Sequence, residues 1–243
     1  MFPNHRALPH QICSRCLIDI TPAADRPDFL TALAGDQKNW ELCPSFFTCG
    51  GLMANDTGSQ ALTGKRDFDK AKKLVAEAGY KGESIVVLDA VDQPVVHSQA
   101  LVVADLMKKL DLHVEVQAMD WGTLVTRRAS MEPIDKGGWN IFATGWVGAD
   151  LLDPAVNPAL RTNGKKGHFG WPSDDRIEAL RTEWLKATTL DERKKLAAAI
   201  QERAFEIVPY IPTGQWKPVT AYRKNLKGLI LGPALFQWNV EKA

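Results

Sequence analysis

The chain has 243 residues, of which 45% are hydrophobic and 24% are charged, and its 30 Lys and Arg against 29 Asp and Glu leave a formal net charge of +1. These totals are typical of a globular protein with one large or two small domains, and the balanced charge gives no basic footprint for nucleic acid. No run of about 18 apolar residues is present, so no transmembrane helix is predicted.

Helical and extended patterns alternate along most of the sequence. In residues 67–80, for example, apolar residues recur at helical spacing from Ala71 to Ala78, and Gly79 ends the pattern. Residues 36–66, rich in Gly, Asn, Thr and Ser, are predicted to form an extended loop. The same reasoning predicts helices at 26–35, 67–80, 95–111, 121–130, 173–188 and 190–207, and strands at 84–90, 113–120, 139–146 and 210–216.

Strands that alternate with helices predict an α/β fold with a largely parallel sheet. In open sheets of this kind, ligands bind beyond the carboxyl ends of the strands. Three loops are expected at that edge, with the sequences DAVDQP (89–94), MDWG (119–122) and GWVGAD (145–150). Asp150 therefore follows a strand at the edge where ligands are expected, close in sequence to Trp146.

All four cysteines lie in the first 49 residues. Cys13 and Cys16 have the CxxC spacing of a redox pair or of half a zinc site. The context supports neither well, because PHQI before them is a poor strand and Cys43 and Cys49 do not repeat the spacing of a zinc-binding pair. Free thiols, or a disulfide between Cys43 and Cys49, are the favoured interpretation.

No established catalytic motif is present: the sequence lacks a GxSxG nucleophile elbow, a P-loop, a GxGxxG turn and an HExxH motif. His97 and His168 have no evident Ser or Cys nucleophile near them, and His97, at a helix start, is expected to be a cap or a solvated residue. Asp150 and Asp153 are a possible acid–base pair, which keeps an α/β hydrolase-like enzyme as one alternative. A non-transport interaction module, or a remnant without function, is another.

Tryptophan is abundant, with eight residues in the chain. Trp121, Trp146 and Trp171 fall in predicted edge loops, where packing in a core is a less complete explanation for them. A carboxylate beside an aromatic ring suits an ammonium group, because the carboxylate neutralises the charge and the ring adds a cation–π contact. From the residues alone, ligand recognition at Asp150 and a purely structural turn both remain open.

The order of four sequence stretches resembles the second lobe of the extracytoplasmic solute-binding proteins of ABC transporters, in family 5, whose members bind dipeptides, oligopeptides, nickel and related solutes. The resemblance covers roughly residues 25–243. The stretches are DFDKAKKLVAEAGYKGESIVVL, QALVVADLMKKLDLHVEVQAMDWGTLVTRR, GWVGADLLDP and LAAAIQERAFEIVPYIPTGQW.

This resemblance implies a type II periplasmic binding protein-like lobe, with a mixed, largely parallel sheet flanked by helices, that encloses its solute against a first lobe. In the peptide-binding members, the aspartate of the GWVGADLLDP loop holds the α-ammonium of the ligand, and Asp150 and Trp146 occupy the matching positions here. Asp153, which precedes a proline, is expected to shape the turn. Four further cleft residues are expected, namely Asp89, Asp92, Trp121 and Trp171.

The function implied is non-catalytic binding of a solute, a peptide in the first place, with an ABC transporter permease as the partner of full-length members. No cofactor, metal or nucleic acid is expected. The implied compartment is periplasmic or otherwise extracytoplasmic, although the N-terminal stretch MFPNHRALPHQICSRC lacks the apolar core of a secretory signal.

Family members are longer than this chain, so the resemblance implies a truncated, partial receptor that lacks most of the first lobe. It divides the chain into a non-family segment at 1–20, the second lobe at 21–215, and a segment at 216–243 that returns to the first lobe in relatives. The apolar stretch LKGLILGPALFQWNV in this last segment is expected to fold against the lobe or to mediate self-association.

Overall fold

The computed structural model describes residues 21–230, 232 and 236–242. The predicted non-family segment, with Cys13 and Cys16, lies outside these residues. The α-helices are α1 Arg26–Ala34, α2 Gln60–Thr63, α3 Phe68–Glu77, α4 Pro94–Lys109, α5 Trp121–Arg127, α6 Asp175–Lys186 and α7 Leu190–Ile207. The strands are β1 Trp40–Glu41, β2 Ile85–Ala90, β3 Val114–Met119, β4 Ile141–Phe142, β5 Gln215–Trp216, β6 Leu226–Lys227 and β7 Glu241–Lys242.

The central sheet has the strand order β3–β2–β4, and β2 pairs in parallel with both of its neighbours. Two smaller antiparallel pairs, β1 with β5 and β6 with β7, make the strand pairing mixed over the whole chain. The predicted α/β fold with a largely parallel sheet is confirmed.

β2 is buried along its whole length because helices cover both faces of the central sheet. On one face, Ile85 belongs to an apolar cluster with Ala71 of α3 and Met107 of α4. On the other face, Leu88 belongs to a cluster with Leu124 of α5. Burial of a large aliphatic side chain contributes about 1.5–3 kcal/mol, so packing against these helices stabilises the central sheet.

Local sequence signals set where the helices begin. Asp67 caps α3 by accepting a hydrogen bond from the backbone N–H of Lys70 at 2.8 Å. Thr189 and Glu192 form a reciprocal capping box at the start of α7. Asp67 and Thr189 thus mark the starts of α3 and α7.

A second core lies between α6, α7 and the segment 43–57, and a buried glutamine of α7 ties that segment in place. Gln201 is fully buried, and its Oε1 accepts hydrogen bonds from Ser45 Oγ at 2.7 Å and from the Phe46 N–H at 3.1 Å. Its Nε2 donates to the backbone oxygens of Asn55 and Thr57 at 2.7 and 3.0 Å. These four hydrogen bonds connect a loop of irregular structure to α7.

Two strands are shorter than predicted. Only Ile141–Phe142 of residues 139–146 and only Gln215–Trp216 of residues 210–216 pair as strands. After β4 the chain passes Gly145 against the indole of Trp216, where an added Cβ would lie 2.8 Å from Cη2. Outside Ile141–Phe142, the apolar residues of the predicted strand thus make contacts between side chains rather than pairing in the sheet.

Among the described residues, none of the helices combines the length and the apolar character that crossing a bilayer requires. In the C-terminal segment, Val219 and Trp238 are 86% and 85% exposed. Trp238 contacts the ring of Phe236 at 5.0 Å within the same segment, and self-association through this segment stays a prediction.

Candidate functional site

The loops after β2, β3 and β4 meet at one side of the central sheet, here named the carboxyl edge, because the three strands are parallel. Asp92, after β2, accepts a hydrogen bond from the backbone N–H of Trp121, after β3, at 2.8 Å. Asp120 caps α5 by accepting from the Thr123 N–H at 3.0 Å. The structure therefore brings together Asp92 and Trp121, two of the residues that the sequence places in the cleft.

Asp150 lies in a turn that is held by a distant loop. The turn is a 3-10 helix, Gly148–Leu151. Thr48 Oγ1 donates to the backbone oxygen of Gly148 at 2.6 Å, and the Thr48 N–H donates to that of Leu151 at 3.0 Å. The Asp150 side chain is exposed, and within the described part of the chain its carboxylate has no hydrogen bond or ion pair. A fixed backbone thus presents a carboxylate whose oxygens are available to a ligand.

Asp153 has a different role from Asp150. Its Oδ1 accepts hydrogen bonds from the backbone N–H groups of Ala155 and Val156 at 2.8 and 3.2 Å. It shapes the end of the turn, as the Asp-Pro sequence predicts. Because this oxygen is already used, the arrangement weighs against an acid–base pair of Asp150 and Asp153.

Trp146 and Trp171 belong to a group of aromatic rings at the carboxyl edge. The Trp146 ring lies 5.4 Å from the His168 ring, which lies 6.2 Å from Phe142 of β4. Trp139 contacts Phe142 at 5.1 Å and Trp171 at 6.0 Å. With Phe169, which contacts both Phe142 and His168, these residues form the aromatic cluster: Trp139, Phe142, Trp146, His168, Phe169 and Trp171.

An arginine that the sequence analysis did not single out lies against this cluster. The Arg128 guanidinium carbon is 4.6 Å from the ring centre of Phe169, 5.5 Å from that of Trp121 and 5.8 Å from that of Phe142. Its Nε is buried without a hydrogen-bond partner. The sequence signal that could have indicated the contact of Arg128 with Trp121 is their spacing, because residues seven apart lie on the same face of a helix.

Burial lowers the pKa of two basic side chains in this region. It lowers the pKa of the Arg128 guanidinium. It also lowers the pKa of His168 from its ordinary value of 6.5, and the positive charge of Arg128 adds to that effect. His168 is therefore neutral near pH 7, and Arg128 carries the positive charge of the region.

The expectation that Asp89 lines the cleft does not match its position. Asp89 is 2% exposed, on the face of β2 that α4 covers, and its carboxylate oxygens lie 2.8 and 3.0 Å from His97 Nδ1. His97 is accordingly a partner of this carboxylate rather than a helix cap. Strand alternation places Asp89 with Ile85 and Val87 on one face, so the exposed aspartate of this loop is Asp92.

Cys43 and Cys49 form a disulfide, one of the alternatives that the sequence left open. It closes the loop that carries Thr48 and hence supports the Asp150 turn. Among the residues that the structure describes, no group of three or more His, Cys, Asp or Glu side chains is arranged to hold a metal ion.

Comparison with known proteins shows similarity to bacterial solute-binding proteins. The family described as bacterial extracellular solute-binding proteins, family 5 Middle, matches residues 32–168, more than half of the chain. A protein of Sinorhizobium fredii named "Probable peptide ABC transporter periplasmic-binding protein" is 37% identical over 219 residues, which are 90% of this chain and 41% of that protein. The glutathione-binding protein GsiB of Escherichia coli is 26% identical over 179 residues, which are 68% of this chain and 33% of that protein.

Solved structures show the same fold. A dipeptide-binding protein of Pseudoalteromonas sp. SM9913, in complex with Met-Leu, superposes with a TM-score of 0.72 at 18% identity, over 95% of this chain and 45% of that one. The oligopeptide-binding protein AppA of Bacillus subtilis, in complex with a nonapeptide, gives a TM-score of 0.66 at 17% identity, over 95% and 47% of the two chains. The chain thus spans less than half the length of these relatives.

Proposed function

Because this chain belongs to family 5 of the bacterial extracellular solute-binding proteins, we propose that it forms part of a peptide-binding site that serves uptake by an ABC transporter. The curated relative with 37% identity is named for peptide transport. The chain matches 41% of that relative's length, so the proposal concerns the share of the site that these residues contribute.

The observation that carries this proposal is the exposed carboxylate of Asp150 on a turn that Thr48 fixes at both ends. A carboxylate that has no partner among the described residues, on a turn held by two hydrogen bonds from Thr48, is suited to the ammonium end of a peptide. Charge-assisted hydrogen bonds of this kind are among the stronger polar contacts. The interaction gains strength where bound solute excludes water.

The aromatic cluster supplies apolar surface for the rest of such a solute. Trp146 and Trp171 are half-buried in it and keep ring surface for a peptide side chain. Trp121 and Asp92, joined by their hydrogen bond, border the same edge. In this proposal these four residues line the site and Asp89 supports it through His97.

The proposed compartment is the periplasm or another extracytoplasmic space, with a transporter permease as the partner. The family is named as extracellular, and disulfides such as that between Cys43 and Cys49 persist in oxidising compartments. Residues 21–215 form the proposed second lobe, and 216–243 the segment that connects to the first.

The binding is proposed to be non-covalent, without turnover of the solute. The matched proteins are named as binding proteins, and Asp153, the second carboxylate that an enzyme would need, is engaged by backbone N–H groups.

Thermal unfolding of the 243-residue chain with and without millimolar dipeptides tests the proposal. A ligand at ten times its Kd stabilises the native state by about 1.4 kcal/mol. In a chain of this size, each kcal/mol of stabilisation raises the Tm by roughly 2–4 °C. We expect this rise for the wild type, its loss in Asp150→Asn, and no rise with N-acetylated dipeptides.

The matched control is Asp135→Asn, which removes another exposed aspartate from a 3-10 helix, Ile134–Lys136, ahead of β4 rather than after it. This variant should keep the full rise in Tm. An equal rise in Asp150→Asn and in the wild type would disprove the role of Asp150. A folded wild-type chain that no dipeptide stabilises would disprove peptide binding by these residues.

A further inference from the structure

The disulfide between Cys43 and Cys49 lies beside the turn that carries Asp150. Cys49 directly follows Thr48, whose hydroxyl and backbone N–H donate to the two ends of that turn. Cys43 is buried, with 4% of its surface exposed, whereas Cys49 is half-buried. The disulfide thus joins a buried anchor to a more accessible residue next to the support of the Asp150 turn.

A second contact holds Cys49 from the side of β5. Its backbone N–H donates to Gln215 Oε1 at 3.1 Å, and Gln215 Nε2 donates to the carboxylate of Glu41, two residues before Cys43. Two successive glycines at 50–51 follow Cys49, and glycine leaves the backbone more freedom than other residues do. The disulfide is therefore the covalent constraint on a segment whose next residues are able to shift.

The surroundings of Cys43 also suit the reduced form. Its Sγ lies 3.7 Å from the backbone oxygen of Phe47, so the thiol that reduction forms there has a hydrogen-bond acceptor. The bonds of this segment to Gln201 of α7 involve neither cysteine. Reduction can therefore leave the second core intact while it removes the constraint next to Thr48.

We propose that the Cys43–Cys49 disulfide is a redox switch for the Asp150 turn. The oxidised form holds Thr48 against the turn, and the reduced form loosens this support and binds solute more weakly. The effect on solute binding rests on the proposed peptide-binding function, to which the switch adds regulation by a dithiol reductant. Half-exposed disulfides are the more readily reduced ones.

The exchange balances in two steps. A thiolate of the dithiol attacks the sulfur of Cys49, the more accessible residue, and the Cys43 sulfur leaves as a thiolate that takes up a proton. The second thiolate of the reductant then attacks its own sulfur in the mixed disulfide and releases Cys49, which is also protonated. Two electrons and two protons pass from the dithiol to the protein, and the reductant becomes a cyclic disulfide.

Hydrogen exchange and calorimetry on the 243-residue chain test the proposal, with dithiothreitol as the reductant. Cys13→Ser/Cys16→Ser is the reference chain, because Cys43 and Cys49 are then its only cysteines. Mass spectrometry follows amide exchange in residues 145–152, around the turn, and in residues 85–90 of β2. Calorimetry measures the binding of Ala-Leu, and thiol titration reports the redox state. Adding Cys43→Ser/Cys49→Ser to the reference chain gives the control that cannot switch.

Reduction of the reference chain should speed exchange at 145–152, leave 85–90 unchanged and weaken Ala-Leu binding by about fivefold, the equivalent of one lost hydrogen bond. Reoxidation should restore both properties. The control without cysteines should resemble the reduced reference chain whether or not dithiothreitol is present.

Equal exchange at 145–152 in both redox states, or a disulfide that dithiothreitol does not open in the folded chain, would overturn the switch. Faster exchange at 85–90 as well would also overturn it, because reduction would then act on the whole fold. Redox-dependent exchange at 145–152 without Ala-Leu binding in either state would support the switch of the turn and overturn peptide binding by the chain.

Discussion

The support of the Asp150 turn by Thr48 leads to a prediction with a defined size. Thr48 Oγ1 donates to the backbone oxygen of Gly148 across 100 residues of sequence. Thr48→Val removes this hydroxyl and keeps the shape of the side chain. The backbone N–H of residue 48 still donates to Leu151, so the turn is loosened at one end and not released.

The expected cost follows from the chemistry of that bond. A typical intramolecular hydrogen bond contributes about 0.5–1.5 kcal/mol, and a buried acceptor left without a partner costs about 1–3 kcal/mol. Because Thr48 is half-buried, water can partly reach the backbone oxygen of Gly148 in the variant, which reduces the cost. We therefore expect a loss of about 1 kcal/mol, or roughly 2–4 °C in Tm, together with several-fold weaker binding of the dipeptide.

Chemical unfolding monitored by tryptophan fluorescence measures the stability, and calorimetry measures the binding. The matched control is Thr182→Val on α6, which removes an exposed hydroxyl that donates to the backbone oxygen of Glu178 within the same helix at 2.9 Å. This control should leave dipeptide affinity unchanged. Unaltered stability and affinity in Thr48→Val, or an equal loss of affinity in Thr182→Val, would refute the coupling between the 43–57 segment and Asp150.

Three further predictions concern the surroundings of the site. Burial lowers the pKa of His168 in the folded chain, so at a pH just below its ordinary pKa of 6.5 the unfolded chain binds more protons than the folded chain. The stability of the fold should therefore fall as the pH drops through this value. Urea midpoints at about pH 7.5 and about pH 5.5 should differ less in His168→Gln than in the wild type. Gly145→Ala places a Cβ 2.8 Å from Trp216 Cη2, and overpacking of this kind costs about 1–3 kcal/mol of stability, more than the about 0.4–1 kcal/mol that a change from Gly to Ala gains at a compatible site. We therefore expect destabilisation in the same unfolding assay, and a Trp216→Leu background should relieve it. A stabilised Gly145→Ala variant would contradict the contact. Replacing both disulfide cysteines by serine opens a loop whose ends are six positions apart. This change should lower the free energy of unfolding by about 2 kcal/mol and weaken dipeptide binding. An unchanged unfolding curve on adding reductant to the wild type would contradict this contribution of the disulfide.

The sequence was sufficient to place the three edge loops and Asp153. Alternating strands and helices dictate parallel strands, and parallel strands end at one edge. An aspartate before proline favours a turn. Strand alternation places Asp89 on the face of β2 that bears Ile85 and Val87, but β2 is buried on both faces, so alternation alone does not show that Asp89 is enclosed.

Contacts between distant segments could not be derived in this way. The bond from Thr48 to Gly148 and the rings around Arg128 join residues for which a single sequence shows no spacing rule. The predicted strand at 139–146 was too long for a related reason. An apolar run indicates burial, but it does not distinguish pairing in a sheet from packing against Trp216 and the aromatic cluster.

Two different parts of the fold support the carboxyl edge of the central sheet. Asp150 depends on Thr48, whose segment is held by Gln201 of α7 in the second core. Arg128 lies against Trp121, which follows β3, and against Phe142, which ends β4 of the central sheet.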